Sequence, residues 1–180
     1  IPGVHNIENY MAAIAAVDGI VPDKCVRAVA QRFTGVEHRI ELVRELDGVK
    51  YYNDSIGTSP TRTMACLDSF DQKLILIAGG YDKGVPFTQL GVSMVEKAKV
   101  LILTGDTAPA IRKAVEDAEG YAGSGLRLLE TEDLAAAVAA ARDAAQEGDV
   151  VVLSPACAAF DRFKNFMERG KVFKQLVNEL

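Results

Sequence analysis

The polar and charged residues that could bind a ligand or take part in catalysis follow three short apolar segments. An uncharged apolar run of a few residues predicts a strand buried on both faces of a parallel sheet. In open α/β sheets, the carboxyl ends of such strands line the crevice that binds the ligand. We therefore expect the polar residues after these segments to converge on one binding site, although glycine- and proline-rich turns also follow strands for structural reasons alone. The junctions are Tyr51-Tyr52-Asn53-Asp54-Ser55, Leu74-Ile75-Leu76-Ile77-Ala78 followed by Gly79-Gly80-Tyr81-Asp82-Lys83, and Val151-Val152-Leu153 followed by Ser154-Pro155-Ala156-Cys157.

Several of these polar residues have both a functional and a structural interpretation. Lys83 could pair with a substrate carboxylate, and Asp54 could accept a hydrogen bond from a ribose hydroxyl. Thr58 and Ser59 precede a predicted helix, where they could bind an anion or simply cap the helix. Arg39 could bridge a phosphate through its planar guanidinium, or lie at the surface where a strand begins.

Nucleophilic catalysis and unaided nucleotide binding are both disfavoured. Cys157 follows a predicted strand, where a helix start could activate its thiol, but His5 and His38 are far away in sequence. We therefore expect Cys157 to be a packed side chain. The chain contains neither GxGxxG nor GxxxxGK[ST], so it is not expected to bind ATP or NAD phosphates by itself.

Composition narrows the class of protein. The net charge of −5 and pI near 5.1 argue against a nucleic-acid partner or a membrane-surface partner. No apolar run approaches the roughly 20 residues that span a bilayer. The three widely spaced cysteines suit reduced thiols, so we expect a cytoplasmic protein without a disulfide framework or a metal site. The first residue is not methionine, which suggests a fragment of a longer protein.

Helical and strand-like segments alternate after residue 36, which predicts a mostly parallel sheet with helices on both faces. A helical pair precedes this unit, and its apolar residues must pack on the rest of the chain or on a domain outside it. Asn6 is the expected N-cap of the first helix, and Asp47-Gly48 is the expected hairpin turn. The expected strands are 39–46, 49–53, 74–78, 100–103, 126–129 and 150–153. The expected helices are 6–17, 23–33, 60–69, 87–97, 108–118, 132–146, 159–167 and 172–179.

The chain resembles the Mur ligase family, and within it the members that add D-glutamate. The resemblance covers essentially the whole chain, and its motifs occur in the family's order. These motifs are His5-Asn6-Ile7-Glu8-Asn9, Glu37-His38-Arg39-Ile40-Glu41, Asn53-Asp54-Ser55, Ala78-Gly79-Gly80-Tyr81-Asp82-Lys83-Gly84, the segment 154–166, and Glu168-Arg169-Gly170.

This resemblance implies the carboxyl-terminal part of a three-domain ATP-dependent ligase.

 Residues 1–36 would be the last helices of the central ATPase domain, and residues 37–180 the Rossmann-like, amino-acid-binding third domain. The phosphate loop and the Mg²⁺ ligands would lie upstream, so this fragment is expected to be inactive by itself. The partners implied are the other two domains of a monomeric enzyme, with D-glutamate and UDP-N-acetylmuramoyl-L-alanine as its substrates.

The resemblance also implies roles for particular residues. ATP would contact Asn9, His38, Arg39 and Asp54. D-Glutamate would be held mainly by Thr58 and Lys83, with Phe166 closing the pocket. The remaining residues expected near the substrate are Ser55, Ser154, Ala159 and Phe160.

The sequence departs from the family pattern at two places. Ile56 and Gly57 stand where better-known members have lysine and alanine, and Ala159 stands where a serine is common. A cation and a hydroxyl near the substrate are therefore missing, and Ser154 or backbone amides could compensate. The alternatives are a Mur ligase or a folylpolyglutamate synthetase-like enzyme for another amino acid, a dinucleotide-binding module of an oxidoreductase, and a binding module without catalysis.

Overall fold

A computed structural model describes residues 4–33 and 35–180 of the chain. Within these ranges, a helical pair precedes a single six-stranded sheet with helices on both faces. The helices are α1 (Val4–Val17), α2 (Asp23–Arg32), α3 (Pro60–Leu67), α4 (Thr88–Lys97), α5 (Ala108–Glu116), α6 (Leu134–Ala144) and α7 (Phe166–Asn178), with a short 3₁₀ turn at Tyr121–Gly123. The strands are β1 (Glu41–Leu46), β2 (Val49–Asn53), β3 (Leu74–Ala78), β4 (Ala98–Leu103), β5 (Arg127–Glu130) and β6 (Val150–Leu153).

The strand order β1-β2-β6-β3-β4-β5 confirms the expected mostly parallel sheet. β1 pairs with β2 in the antiparallel direction, and every other neighbouring pair is parallel. The β1–β2 hairpin turns at Asp47 and Gly48, which both have positive φ, as a type I′ turn requires. β6 is the last strand in the sequence but lies between β2 and β3 in the sheet.

Alternate residues of the central strands enter two separate cores. Leu74 and Leu76 of β3 pack in the cluster that contains α3, α4 and α5 residues, whereas Ile75 and Ile77 pack in the cluster that contains α6 and α7 residues. All of β3 is buried, because a parallel strand with helices on both faces has no solvent-facing side. The three-layer prediction is therefore confirmed.

The start of β1 differs from the prediction. The strand begins at Glu41 instead of residue 39, because His38 and Ile40 have φ values of 66° and 44°, outside the extended region. Positive φ is strained for a β-branched residue, so Ile40 marks a backbone that its surroundings hold in place. The backbone N–H of Ile40 donates to Asp54 Oδ1 at 3.3 Å, which is one such constraint.

The end of the chain also differs. The predicted helix over residues 159–167 is wrong, and the predicted helix over 172–179 is the second half of a longer helix. Asn165 is extended, and its Oδ1 accepts the backbone N–H of Glu168 at 2.9 Å, so it caps α7 and fixes the first helical residue at Phe166. Residues 159–165 therefore form no helix.

The helical pair does not bury its apolar residues within this chain. Ile7, Met11 and Ile14 of α1 are between 45% and 64% exposed, and α2 has no buried residue. The possibility that these helices pack on the sheet is therefore wrong, while packing on a domain outside this chain stays a prediction. The N-cap assigned to Asn6 is also wrong, because α1 begins at Val4.

Candidate functional site

The three polar junctions converge at one edge of the sheet. β6 lies between β2 and β3, and all three strands end at the same level because Asn53 and Ile77 both pair with Leu153. Backbone hydrogen bonds continue past the strand ends, from Asp54 N–H to Leu153 O at 2.8 Å and from Gly79 N–H to Pro155 O at 2.8 Å. Residues that are up to about 100 positions apart are thereby held as neighbours.

Asp54 is the centre of a buried hydrogen-bond network at this edge. Its Oδ2 accepts the Ser154 hydroxyl at 2.7 Å, and Ser154 Oγ lies 3.0 Å from Thr63 Oγ1 on α3. Burial raises the pKa of the Asp54 carboxyl to about 6, against the opposing effect of the hydrogen bonds from Ser154 and the Ile40 N–H. The network links the ends of β2 and β6 to α3.

The first departure from the family pattern, at Ile56 and Gly57, lies beside this network. A Cβ atom on Gly57 would lie 2.7 Å from Asp54 Oδ2 and 2.9 Å from Ser154 Oγ, so the close packing of these side chains excludes alanine there without rearrangement. Ile56 is half-buried beside the same loop, and its backbone N–H donates to His38 O at 3.2 Å.

His38 is held in a buried pocket between the β1–β2 hairpin and α7. The Asn53 side-chain amide donates to His38 Nδ1 at 2.9 Å, and Asn53 Oδ1 accepts the Ser55 N–H, so Nδ1 is the unprotonated nitrogen of a neutral imidazole. Burial lowers the pKa of His38, which agrees with the neutral form. A Cβ atom on Gly170 would lie 2.3 Å from His38 Nδ1, so this position of α7 requires glycine.

Arg39 faces the two cavities in which nucleotide contacts are expected. Its Nε is buried and has no hydrogen-bond partner within residues 4–33 and 35–180. It lines a cavity of about 80 Å³ with Asp54, Gly57 and Arg62, and a mostly apolar groove of about 550 Å³ between α1 and α2 with Asn9. Two of the other three residues expected at the nucleotide, Asn9 and Asp54, therefore line cavities that Arg39 also lines, whereas His38 lines neither.

The residues expected at the amino-acid substrate divide into exposed and buried groups. Lys83 is exposed and forms no salt bridge with the part of the chain that the structure describes, and Thr58 is partly exposed. Phe160 is 64% exposed and makes an edge-to-face contact with Tyr81, with ring centroids 6.0 Å apart. A bridge between Tyr81 and Ala158 brings the loop of Lys83 beside the loop of Phe160.

The buried group lies behind this surface. Ser154 and Ala159 are almost completely buried, and the Ser55 hydroxyl donates to the backbone carbonyl of Phe166 at 2.7 Å. Because the hydroxyls of Ser55 and Ser154 already have protein partners, this geometry does not favour direct contact of either with a substrate. Their substrate-binding roles stay predictions, and the observed contacts are those of residues that support the loops.

Arg169 is a site residue that the sequence reasoning did not single out. Its buried guanidinium donates to Ser55 Oγ at 3.0 Å and to three backbone carbonyls. The only sequence signal was its position in the Glu168-Arg169-Gly170 motif. Its partners are more than ten positions away in every case, so no local pattern predicts them.

Cys157 is packed and not activated. Its Sγ lies 3.1 Å from Thr107 Oγ1, and burial raises the pKa of the thiol to about 11. The expectation of a packed side chain is confirmed.

One cluster has the residue types of a metal site. Ligand atoms of Glu37, His38 and Glu41 lie within 4.8 Å of one another. The Lys174 ammonium lies 3.1 Å from Glu37 Oε1 and 2.6 Å from Glu41 Oε1, so a cation already neutralises these carboxylates. The cluster is best described as an ion-pair network that joins α7 to the start of β1.

Comparison with known proteins identifies the family. The family model for the glutamate ligase domain of Mur ligases matches residues 38–157. The chain belongs to the Mur ligase family. This Mur ligase domain is 56% identical over 182 residues to the UDP-N-acetylmuramoylalanine--D-glutamate ligase of Acetivibrio thermocellus, and 53% identical over 182 residues to that of Symbiobacterium thermophilum. Each match covers 100% of this chain and 39% of the relative, so the chain spans about two fifths of the length of these relatives.

Solved structures share the fold at lower identity. A Mycobacterium tuberculosis folylpolyglutamate synthase complexed with ADP has a TM-score of 0.69 and 16% identity, covering 98% of this Mur ligase domain and 41% of that chain. A murein peptide ligase from Psychrobacter arcticus has a TM-score of 0.58 and 19% identity, covering 100% and 38%. Both support the three-layer fold. No helix in the described part of this Mur ligase domain is long and apolar enough to cross a membrane.

Proposed function

We propose that this chain is the carboxyl-terminal, amino-acid-binding part of an ATP-dependent ligase that joins D-glutamate to UDP-N-acetylmuramoyl-L-alanine. The observation that carries the proposal is the identity of 56% over the whole chain to a relative named as a D-glutamate ligase. In this proposal, residues 37–180 form the third domain, and residues 1–36 are the last helices of the central domain. The exposed apolar residues of α1 and α2 support that division, because they need a partner outside this chain.

The reaction would proceed in two chemical steps. The carboxylate of UDP-N-acetylmuramoyl-L-alanine attacks the γ-phosphorus of ATP, giving an acyl phosphate and ADP. The neutral D-glutamate amine then attacks the acyl carbon, and collapse of the tetrahedral intermediate expels phosphate and forms the amide, while the nitrogen loses one of its two protons. Such catalysis depends mainly on positioning the reactants and stabilising charge, with Mg²⁺ ligands proposed to lie upstream of this chain.

Within this chain, two groups of residues would contribute. Arg39 would contact the nucleotide phosphates or ribose, which its unpartnered, buried Nε supports. Asn9, His38 and Asp54 would complete the nucleotide site. Lys83 and Thr58 would hold the D-glutamate carboxylates, and the exposure of Lys83 leaves its ammonium accessible to an anion.

The test requires the complete ligase that contains this chain. ADP release would be followed with UDP-N-acetylmuramoyl-L-alanine, Mg²⁺ and a panel of D-glutamate, L-glutamate, L-lysine and diaminopimelate. We expect turnover only with D-glutamate. Turnover with another member of the panel would refute the assigned substrate, and no turnover by a folded enzyme that binds ATP would refute the proposed acceptor.

Substitution of Lys83 tests the proposed amino-acid site. Lys83→Ala should raise the KM for D-glutamate about tenfold or more, because a charged partner of a substrate carboxylate is lost. The KM for ATP should change little. Lys113→Ala is a matched control, since Lys113 is an exposed lysine on α5 that pairs with Asp117. An unchanged KM for D-glutamate in Lys83→Ala would exclude this role for the lysine.

A ligase for another amino acid is the second candidate. Ile56 and Ala159 support it, because they lack the cation and the hydroxyl that better-known D-glutamate-adding members place near the substrate. The same panel separates the two candidates.

We also infer that the enzyme acts in the cytoplasm, since the three cysteines are free thiols.

A further inference from the structure

Arg169 of α7 connects the loops that follow β2 and β6. The residue is only 4% exposed. Its Nε donates to Ser55 Oγ at 3.0 Å, and its Nη2 donates to the carbonyls of Ser55 and Cys157, each at 3.0 Å. Its Nη1 donates to the carbonyl of Ala158 at 3.1 Å. One planar guanidinium thus fixes two loops from different parts of the sequence.

The loops that Arg169 contacts carry or adjoin the residues expected at the amino-acid substrate. Ser55 Oγ, which accepts a hydrogen bond from Arg169, donates one to the carbonyl of Phe166. Ala158 precedes Ala159 and Phe160, and it bridges to Tyr81 on the loop of Lys83. A side chain on Gly80 would also approach Arg169, because a Cβ atom there would lie 3.1 Å from Nη1. Arg169 therefore lies directly behind the surface that presents Lys83 and Phe160.

The charge of Arg169 is compensated only in part within the described ranges, by the negative charge of Asp161, which lines the same small cavity. Its partners are a hydroxyl and carbonyl oxygens, and no carboxylate there forms a salt bridge with it. Burial lowers the pKa of the guanidinium to about 10, so it remains charged at neutral pH. A buried charge without a paired opposite charge is costly for folding, and an apolar side chain of similar size would often fit at lower cost.

We propose that Arg169 is a positioning residue for the amino-acid substrate: it holds the Ser55 and Cys157–Ala159 segments in register and adds positive potential behind the carboxylate-binding surface. The inference rests on the proposed function of this surface. A substrate with two carboxylates is the chemical class that gains most from such a potential. The charge of Arg169 would partly replace that of the lysine that better-known members have at the position of Ile56.

The test measures the KM for D-glutamate of the complete ligase that carries Arg169→Lys, with substitution of a second arginine, Arg44, as the control. Lysine keeps the charge but loses the planar fork that reaches both loops. We expect the KM for D-glutamate to rise about tenfold or more, because a small misplacement of binding groups is amplified in turnover. The KM for ATP should change by less than about twofold, because Arg169 does not line the cavities beside Arg39.

Arg44→Ala is the matched control. Arg44 Nη1 donates to the carbonyls of Val177 and Asn178 at 3.1 and 3.0 Å, so it also ties a strand to α7, but at the end of the helix remote from Arg169. Its loss should lower the thermal midpoint without changing the KM for D-glutamate. If both variants lower the midpoint and neither changes that KM, Arg169 is only structural and the inference is overturned.

A second variant keeps the inference testable if Arg169→Lys does not fold. Ser55→Ala removes the hydroxyl between Arg169 Nε and the Phe166 carbonyl. It should raise the KM for D-glutamate by a smaller factor, and an unchanged KM would overturn the inference. If the unmodified enzyme rejects D-glutamate, the proposed function fails separately, and the same variants are judged by the KM of the amino acid that the enzyme accepts.

Discussion

The buried carboxyl group of Asp54 should make the stability of this domain depend on pH in an unusual direction. Most structural carboxylates are stabilised in the charged form, so stability falls in acid. Burial instead raises the pKa of Asp54 from 3.8 to about 6, so the folded protein retains a proton that the unfolded chain releases. The contribution of Asp54 is therefore fully present below about pH 3.8 and is lost as the pH rises through about 6.

The difference between these pKa values corresponds to about 3 kcal/mol of unfolding free energy at most. Asp54→Asn removes the titration while keeping the shape of the side chain and an acceptor for the Ile40 N–H. We expect the unmodified chain to lose about 3 kcal/mol relative to Asp54→Asn between about pH 3.5 and about pH 7. Comparing the two proteins cancels the contributions of groups that titrate alike in both.

Urea unfolding of both proteins at a series of pH values measures this difference. Ser154→Ala provides a second check, because loss of a hydrogen bond that lowers the pKa should move the upper end of the window to higher pH. A difference between Asp54 and Asn that is constant across the range would refute the reasoning. A gain of stability by the unmodified chain as the pH rises would show instead that the carboxylate is favoured in its charged form.

Two further predictions concern a backbone position and the thiols. Gly79→Ala should destabilise the domain by about 3 kcal/mol or more, because φ is 116° and a Cβ atom would lie 1.9 Å from the carbonyl oxygen of Thr104. Gly123→Ala is the control, since a Cβ atom there meets nothing within 4 Å, and equal urea midpoints for the two variants would contradict the steric argument. In the native chain, a thiol reagent at about pH 8 should label exposed Cys25 rapidly but leave Cys157 unreacted until urea is added. Rapid native labelling of Cys157 would show that its loop opens.

The buried strands and the hairpin turn could be predicted from the sequence, because local patterns of residues determine them. Residues 74–78 and 150–153 are uninterrupted apolar runs, and both strands have the predicted bounds. The Asp47-Gly48 turn was equally clear, because few residue pairs adopt two positive φ values. The other helices and strands of the sheet domain differ by no more than two residues at each end, apart from the segment after Ala158.

One error is local: the helix expected from residue 159 begins only at Phe166, because the Asn165 side chain caps it there. The contacts that the sequence did not reveal join distant residues. The network of Asp54 and Ser154 joins residues 100 positions apart, and the contacts of Arg169 with Ser55 span 114 positions. Sequence patterns identified the polar residues but could not show which would face a ligand and which would support the loops behind it.

The position of β6 has a consequence for how the chain is made. Until Leu153 has left the ribosome, the nascent chain can form only two partial sheets, β1-β2 and β3-β4-β5, each with an open edge where β6 will pair. Such edges readily pair with other chains. β6 is therefore the last strand of this sheet to be synthesised, and the sheet cannot be completed before it has emerged. Chains that stop before β6 would be prone to aggregation, since each partial sheet keeps an open edge that only β6 covers.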